Sequence, residues 1–351
     1  MKSPAHWLLV LACALISLAG TPGLQAAALP KVTVFTTGGS IQAKGSYRDK
    51  LMDYNDGKVL PDELVGDVPE LKSVAAVTTL EISDNTTAIA MRTDVLLKLA
   101  RAINAWLALP DSAGAVVTHG TASLEETAYF LNLVIKSNKP VVVVGAMRPF
   151  TAISRDGPLN LYNAVRVAAD PGARGKGVMV LLNDEINAAR DATKTNTYRV
   201  NTFESRDLGP IGFADSDRIV FYRNNLYKHT YKSEFDVSQL TSLPEVEIAY
   251  GYQEASRAAI DAFVSVGAKG IILDDSAASF AAAVKDGQAK GVVFVQSDRK
   301  GSGRVLDSTH QSERGVVTAD NLNAQKARIL LRVALTQTSD PKELQRIFDE
   351  Y

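Results

Sequence analysis

Four short runs of apolar residues constrain the fold of this chain more than any other feature of its sequence. They are Val32–Phe35, Ala115–Thr118, Val141–Val144 and Val178–Leu182, and each is largely apolar at consecutive positions rather than at alternate ones. Strands that are buried on both faces have this composition, and they occur in mostly parallel sheets covered by helices. The runs therefore predict an α/β fold with a mostly parallel sheet.

A helix is predicted between the second and the third of these runs. Over residues 123–137 apolar residues recur near helical spacing, and Ser123 followed by Glu126 has the pattern of a capping box. A tight turn at 119–121 separates this helix from the preceding strand. The backbone N–H groups of the helix start are therefore expected to point into the crevice at the carboxyl end of the sheet.

The second half of the chain repeats the alternation on a smaller scale. Residues 221–244 contain tyrosines and polar residues without a sustained period, and we expect a linker there. Strand and helix patterns then alternate, which predicts a smaller parallel-sheet domain. The expected strands are 246–250, 270–273 and 291–295, with helices at 255–266 and 276–285 and two more at the end. The predicted domains are a larger N-terminal α/β domain at 29–220 and a C-terminal α/β domain at 245–351.

The N-terminus resembles a secretory signal peptide. Lys2 precedes an apolar run over residues 7–19, and Ala26–Ala28 supply small residues at its exit. The run is short for a membrane span. Lipidation of Cys13 is the rival interpretation, although the apolar run continues beyond that residue. We expect residues 1–28 to be cleaved, which leaves a periplasmic chain with no membrane anchor, no cysteine and no internal disulfide.

The charge balance argues against a nucleic-acid partner. The chain has 38 Lys+Arg against 39 Asp+Glu, a formal net charge of -1, and contains no run of basic residues. Binding through phosphate neutralisation is therefore not expected. The histidines His119, His229 and His310 do not have the spacing of metal ligands, so the sequence predicts neither a metal nor another cofactor.

Three segments place hydroxyl or charged side chains beside predicted strand ends. In TTGGS at 36–40 two glycines allow a sharp turn that exposes the next hydroxyl, although an ordinary glycine turn has the same composition. THGT at 118–121 stands at the helix start, where Thr121 is also a candidate for simple capping. DATKTN at 191–196 contains Lys194, and a lysine in a loop is by itself most often a solvated charge.

Taken together, these segments resemble the bacterial asparaginase/glutaminase family, in particular its exported type II branch. The resemblance extends over nearly all of the chain after the signal peptide. It rests on TTGGSI at 36–41, VVTHGTASLEETAYFL at 116–131, KPVVVVGAMRP at 139–149, DGPLNLYNAV at 156–165, TKTNT at 193–197 and LNAQKARILL at 322–331. It implies a two-domain α/β protein, typically a homotetramer, with active sites between paired subunits and a small-molecule amide as substrate.

The resemblance also implies catalytic roles. The hydroxyl after the paired glycines, which attacks the side-chain amide in the family, is Ser40 here, where the usual residue is threonine. The second threonine and its lysine correspond to Thr121 and Lys194. The family's lid tyrosine falls within residues 42–57, where Tyr54 is preferred to Tyr47. Because a hydroxyl is a poor nucleophile at neutral pH, a lysine partly removed from water is a suitable proton acceptor beside it.

The positions that bind the amino-acid head group in the family have changed in this chain. Alignment places Ala88 and Ile89 at a Ser-Gln pair, and Ala122 at an aspartate. Glu254 and His310 stand at an asparagine and a glutamate that a neighbouring subunit contributes. A carboxylate has become a methyl group, and losing a charge partner in a desolvated site costs about 2–5 kcal/mol. Glu254 and His310 offer reversed polarity, so recapture of a zwitterion through them stays open.

Three hypotheses about function follow. The first is an exported amidohydrolase that keeps the hydroxyl–lysine machinery and accepts an altered substrate, such as an amide without a free α-amino acid group. The second is residual asparaginase or glutaminase activity with weak affinity. The third is a catalytically idle periplasmic ligand-binding protein on the same fold, because a fold does not guarantee a function.

Overall fold

The computed structural model describes residues 28–83, 91–307 and 310–351. The predicted signal peptide, apart from Ala28, lies outside the described residues, and Cys13 lies outside them with it. No helix in the described ranges is both long enough and apolar enough to cross a membrane.

Within these ranges the chain alternates between strands and helices. The strands are β1 (Lys31–Thr36), β2 (Ala76–Glu81), β3 (Ser112–Thr118), β4 (Val141–Val144), β5 (Val178–Leu182), β6 (Glu185–Ala188), β7 (Thr193–Lys194), β8 (Phe203–Glu204), β9 (Gly212–Ala214), β10 (Ile219–Phe221), β11 (Val246–Tyr250), β12 (Gly270–Asp274), β13 (Val293–Ser297) and β14 (Val316–Thr318). The helices are α1 (Pro61–Gly66), α2 (Thr93–Ala108), α3 (Leu124–Val134), α4 (Gly157–Ala169), α5 (Ala258–Ser265), α6 (Phe280–Gln288), α7 (Ala324–Ala334) and α8 (Pro341–Glu350).

The larger sheet has eight described strands in the order β10-β9-β6-β5-β4-β3-β1-β2. The five strands β2, β1, β3, β4 and β5 pair with one another in parallel. Strands β6, β9 and β10 continue the sheet from β5 in antiparallel pairs. The prediction of a mostly parallel sheet is confirmed. Because β1, β3 and β4 are adjacent and parallel, their carboxyl ends meet at one edge of the sheet.

The apolar runs are strands because both of their faces are covered by helices. In β4, Val141 and Val143 pack into a core with α2 and α3, whereas Val142 and Val144 pack into a second core with α4. All four side chains are fully buried. Side chains alternate across a strand, so a strand covered on both sides must be apolar at every position.

The smaller sheet is parallel throughout, in the order β11-β12-β13-β14. Helices α5 and α6 cover one face of this sheet. Helix α7 covers the other face and also packs against α3. Below, the smaller sheet with its helices is called the smaller unit, and the larger sheet with its helices the larger unit. The helix predicted at 276–285 begins later, at Phe280. Asp275 has a left-handed φ of 75°, and its side chain accepts a hydrogen bond from the N–H of Ser276, so this part of the chain forms a turn.

The segment predicted as a linker, 221–244, starts with the last residue of β10 and contains a short 3-10 helix at Thr230–Lys232. It is well packed. Phe235 is fully buried, with its ring centroid 4.9 Å from that of Tyr351, and Lys136 donates to the backbone carbonyl of Ser233 at 2.8 Å. The boundaries of the two domains stay predictions.

A buried arginine ties the end of the chain to the larger sheet. The Arg190 side chain is 1% exposed; its Nε donates to the backbone oxygen of Tyr351 at 2.8 Å and its Nη2 to Asp320 at 2.9 Å. Its guanidinium lies 3.7 Å from the ring centroid of Tyr227. Such a charge is tolerated in the core only because hydrogen bonds and an opposite charge compensate it.

Replacing Arg190 by methionine should therefore destabilise the protein by about 3–5 kcal/mol, because Asp320, which is only 14% exposed, would lose its charge partner. Urea unfolding followed by circular dichroism measures this change. Arg92→Met is the matched control, since Arg92 pairs with Asp94 at the surface and exposed pairs contribute little. Equal midpoints for the two variants would contradict the prediction.

Candidate active site

Two turns at the carboxyl ends of β1 and β3 touch through their backbones. Gly39 has φ 88°, and a Cβ added there would lie 2.3 Å from the Cα of Gly120. No side chain fits in that space. This contact brings the segment that carries Ser40 beside the segment that carries Thr121.

A third turn, after β4, joins the same contact. A Cβ added at Gly145 would lie 2.8 Å from the backbone oxygen of His119 and 3.1 Å from Cγ2 of Thr121. Three neighbouring parallel strands thus end in turns that pack closely, which brings the hydroxyl groups of Ser40 and Thr121 to one edge of the sheet.

Thr121 and Lys194 form a direct pair in this crevice. The Nζ of Lys194 donates to Oγ1 of Thr121 at 2.8 Å. Thr121 is buried and Lys194 half-buried. Burial lowers the pKa of Lys194 from its ordinary value, while the negative charge of Glu125 opposes that change. The ammonium form is therefore less favoured than in water, as a proton acceptor requires.

The hydroxyl groups of Ser40 and Tyr54 are held by adjacent carbonyl groups after β4. Ser40 donates to the backbone oxygen of Ala146, and Tyr54 donates to that of Met147 at 2.8 Å. Tyr54 is half-buried, whereas Tyr47 is 65% exposed. This contact favours Tyr54 over Tyr47 as the lid residue. Burial raises the pKa of Tyr54, with smaller contributions from Asp156 and Tyr198, so its hydroxyl stays protonated.

His119 is a fixed part of the turn rather than a titrating group. It is 1% exposed; its Nδ1 lies 2.8 Å from the backbone oxygen of Gly120 and its Nε2 2.9 Å from Oγ1 of Thr127. A carbonyl only accepts, so Nδ1 carries the proton and Nε2 accepts from the hydroxyl. Burial lowers the pKa of His119 to about 4, which keeps the imidazole neutral.

The predicted head-group positions are placed in different parts of the molecule. Ala122 is exposed at the start of α3, next to Thr121. Ala88 and Ile89 lie outside the described residues. Glu254, with a left-handed φ of 58°, lines a cleft of about 690 Å³ in the smaller unit, together with Tyr252, Arg257 and Arg299 among others. None of the residues that line this cleft belongs to the turns carrying Ser40, Thr121 or Lys194.

His310 is mostly exposed, and its Nδ1 lies 3.3 Å from the carboxylate of Glu313. Like Glu254, it lies at the surface of the smaller unit. The sequence assigned both residues to the site of a neighbouring subunit, and that assignment stays a prediction.

Two polar residues beside Lys194 were missed by the sequence reasoning. Glu125 accepts a hydrogen bond from the backbone N–H of Lys194 at 2.6 Å, and it accepts a second bond from Asn323 at 2.9 Å. Both residues lie within motifs that carried the family resemblance. Helical spacing gave no signal that links Glu125 to Thr121, because α3 begins at Leu124 and Thr121 lies in the turn before it.

In the part of the chain that the structure describes, no group of three or more His, Cys, Asp or Glu side chains is arranged to hold a metal ion. The crevice contains the hydroxyl groups of Ser40 and Thr121 and the side chain of Lys194, beside the start of α3.

Comparison with protein families matches the chain in two parts. A model described as "Asparaginase, N-terminal" covers residues 31–227, and one described as "Glutaminase/Asparaginase C-terminal domain" covers residues 245–348. Together they span most of the chain, including the crevice and the smaller sheet.

Individual relatives have closely similar sequences. "L-asparaginase 2" of Bacillus subtilis is 46% identical over 329 residues, covering 92% of this chain and 87% of that protein. "Probable L-asparaginase periplasmic" of Haemophilus influenzae is 41% identical over 346 residues, covering 97% and 98%. The crystal structure of "Probable Cytoplasmic L-asparaginase from Campylobacter jejuni" superposes with a TM-score of 0.87 at 41% identity, covering 92% of this chain and 99% of that one.

Substituting alanine for Gly39 should be more damaging than the same change at another glycine with positive φ. At both sites the backbone strain costs about 1–3 kcal/mol, but at Gly39 the methyl group also meets the Gly120 backbone, adding about 1–3 kcal/mol of overpacking. Differential scanning calorimetry measures the difference. Gly291 is the control, with φ 81° and nothing within 4 Å of an added Cβ. Equal melting temperatures would refute the close backbone contact.

His119 should contribute to acid sensitivity. Its pKa is depressed from 6.5 to about 4 in the folded state, so the unfolded chain binds more protons between these values. Stability therefore falls as the pH drops from 6.5 towards 4, by about 3 kcal/mol in total. The measurement is the urea midpoint against pH for the native chain and His119→Gln. Burial also lowers the pKa of His229 to about 4. His229 is present in both proteins, so its contribution does not affect the comparison. Identical pH slopes would contradict the prediction.

Proposed function

The chain belongs to the asparaginase family and is an asparaginase/glutaminase-like amidohydrolase, and we propose that it is an exported enzyme with an altered substrate preference. In this proposal it hydrolyses a carboxamide to a carboxylate and ammonia. The observation that carries the proposal is the 2.8 Å contact between Lys194 and Thr121, in a crevice whose neighbouring turn presents the hydroxyl of Ser40.

Ser40 is the nucleophile in this proposal. Its Oγ forms a bond to the carbon of the substrate amide. The proton of Ser40 passes by way of the Thr121 hydroxyl to the neutral amine of Lys194, which is the base. The C–N bond then breaks and ammonia leaves with the returned proton. Water next attacks the ester on Ser40, releasing the carboxylate and restoring the serine hydroxyl. Burial lowers the pKa of Lys194, which favours its neutral form more than in water and supports its role as proton acceptor.

The start of α3 is suited to stabilising the anion of the tetrahedral intermediate. α3 begins at Leu124, its first N–H groups have no acceptors within the helix, and the helix dipole places partial positive charge there. Donors fixed in place before the reaction stabilise developing charge without reorganising. Tyr54 donates a hydrogen bond to the backbone oxygen of Met147, next to the carbonyl of Ala146 that accepts from Ser40.

The altered substrate preference rests on Ala122. It lies exposed beside Thr121 and presents a methyl group where a carboxylate would bind the ammonium of an amino acid. Leaving a charged group unpaired in a desolvated site costs about 2–5 kcal/mol, well over tenfold in affinity. An amide whose α-amino group is absent or capped does not have this cost, and such neutral amides are the proposed substrates.

Export and assembly complete the proposal. The charged, apolar and alanine-rich stretches of residues 1–28 support a cleaved signal and a periplasmic location; the relatives include one named periplasmic and one named cytoplasmic. A homotetramer is proposed from the family resemblance. The exposed positions of Glu254 and His310 leave both available to a neighbouring subunit.

A second candidate is the idle ligand-binding protein. It is favoured by one observation: the hydroxyl groups of Ser40 and Tyr54 both donate to backbone carbonyls rather than towards Lys194. In the enzyme this is the resting arrangement, from which Ser40 rotates about χ1 when the substrate binds. Serine has no γ-methyl group, so that rotation is less restricted than for threonine.

Ammonia release from a panel of amides tests the proposal. We expect turnover of neutral or N-capped amides, with kcat/KM for free asparagine and glutamine at least about tenfold lower, because the head-group carboxylate is missing. Ser40→Ala should abolish turnover. Ala122→Asp should raise kcat/KM for asparagine relative to the capped amide by restoring that charge.

Each alternative has its own result in this assay. Faster turnover of free asparagine than of its capped form would refute the altered preference. Binding of an amide without turnover, equal in the native chain and Ser40→Ala, would establish the idle protein. The surface serine Ser73, whose hydroxyl donates only to its own helix turn, provides Ser73→Ala as the matched control.

A further inference from the structure

Glu125 is a buried carboxylate next to the proposed base and has no assigned role in the chemistry above. Its side chain is in the first turn of α3, and the residue is 8% exposed. Oε2 accepts from the backbone N–H of Lys194 at 2.6 Å, and Oε1 accepts from Nδ2 of Asn323 at 2.9 Å. Both oxygens therefore have a fixed partner.

Asn323 connects this carboxylate to the smaller unit. It is the N-cap of α7, and its Oδ1 accepts from the backbone N–H of Lys326 at 3.0 Å. One side of the amide caps the helix while the other donates to Glu125. The start of α7 is therefore connected to the backbone of Lys194 by two hydrogen bonds, both of which Glu125 accepts.

Thr193, the other residue of β7, is held by a side chain of α7. Lys326 is fully buried; its Nζ donates to Oγ1 of Thr193 at 3.1 Å and to the backbone oxygen of Arg190 at 2.8 Å. The two-residue strand β7 is therefore fastened at Lys194 by α3 and at Thr193 by α7. A lysine side chain is long and flexible, so its reach to Thr121 depends on where its backbone is fixed.

The charges around this cluster come from three elements. Glu125 on α3 is the carboxylate that opposes the effect of burial on Lys194. Lys326 on α7 has its pKa lowered by burial to about 8, with Glu125 and Asp191 acting in the opposite direction and Arg190 in the same one. Position 122, closer to the crevice, offers only the methyl of Ala122.

We propose that Glu125 and Asn323 are positioning residues for Lys194, and that Glu125 also provides the negative charge that acts on its ammonium group. This inference rests on the proposed role of Lys194 as base. The smaller unit of the same chain then contributes to catalysis through Asn323 at the start of α7, which does not touch the substrate.

The test compares Glu125→Gln with Glu126→Gln, which removes the same charge one residue further along α3. Glutamine accepts at only one of its two terminal atoms, so one of the two hydrogen bonds is lost. We expect kcat for the best amide to fall by about tenfold to a hundredfold, the range that follows a displacement of about 1 Å. KM should stay within about twofold of the native value, because Glu125 does not touch the substrate.

The pH profile separates positioning from a general loss of stability. Without the carboxylate the ammonium of Lys194 is less favoured, so its pKa falls and the neutral base is present at lower pH. The acidic limb of kcat against pH should therefore move to lower pH in Glu125→Gln and stay in place in Glu126→Gln. Asn323→Ser keeps a capping hydroxyl and the charge of Glu125, so it should lower kcat without moving the limb.

A measurement independent of turnover is the NMR titration of the Lys194 side chain in protein labelled at lysine Cε, assigned with Lys194→Arg. The inference is overturned if the Lys194 pKa is the same in the native chain and in Glu125→Gln, or if the two glutamine variants have the same kcat and pH limb. If Glu125→Gln does not fold, an unchanged kcat in Asn323→Ser overturns it. Full activity in Lys194→Met would instead refute the proposed base, while the titration still tests Glu125.

Discussion

The site depends on backbone atoms meeting where no side chain fits. Gly39 lies against Gly120, and Gly145 lies against His119 and Thr121, so three strand ends approach one another more closely than side chains would allow. Parallel strands place their carboxyl ends at one edge in any fold of this kind. Here the missing Cβ atoms turn that general proximity into contact, and the hydroxyl groups of Ser40 and Thr121 follow from it.

Lys194 is held in place in a different way from the hydroxyl groups of Ser40 and Thr121. Lys194 belongs to a strand of only two residues outside both large sheets, which has little stability of its own. Its backbone N–H is held by the buried carboxylate of Glu125, which is held in turn by Asn323 at the start of α7. The hydroxyl groups therefore rely on close backbone packing, whereas the proposed base relies on directed hydrogen bonds. The two parts of the site touch at the contact between Lys194 and Thr121.

The sequence predicted those parts of the structure that depend on local pattern. Runs such as Val141–Val144 are buried on both faces, so their composition alone identified them. The glycine turns made Ser40 and Thr121 candidates at strand ends, and the family resemblance supplied their predicted roles. The start of α6 was misplaced because the turn at Asp275 depends on its own side-chain hydrogen bond. Asn323 escaped notice for another reason: its partner Glu125 is 198 residues away, and no periodicity links residues so far apart.

That separation has a consequence for how the molecule acquires activity. A contact between residues nearly 200 positions apart closes a very large loop, and such contacts form late because their entropy cost precedes their reward. Domains of larger chains commonly fold one after another. A chain in which the larger sheet is complete but α7 has not yet docked would have its hydroxyl groups assembled and Lys194, the proposed base, without its support from α7. On the proposed mechanism, catalytic competence would follow the docking of α7 onto α3.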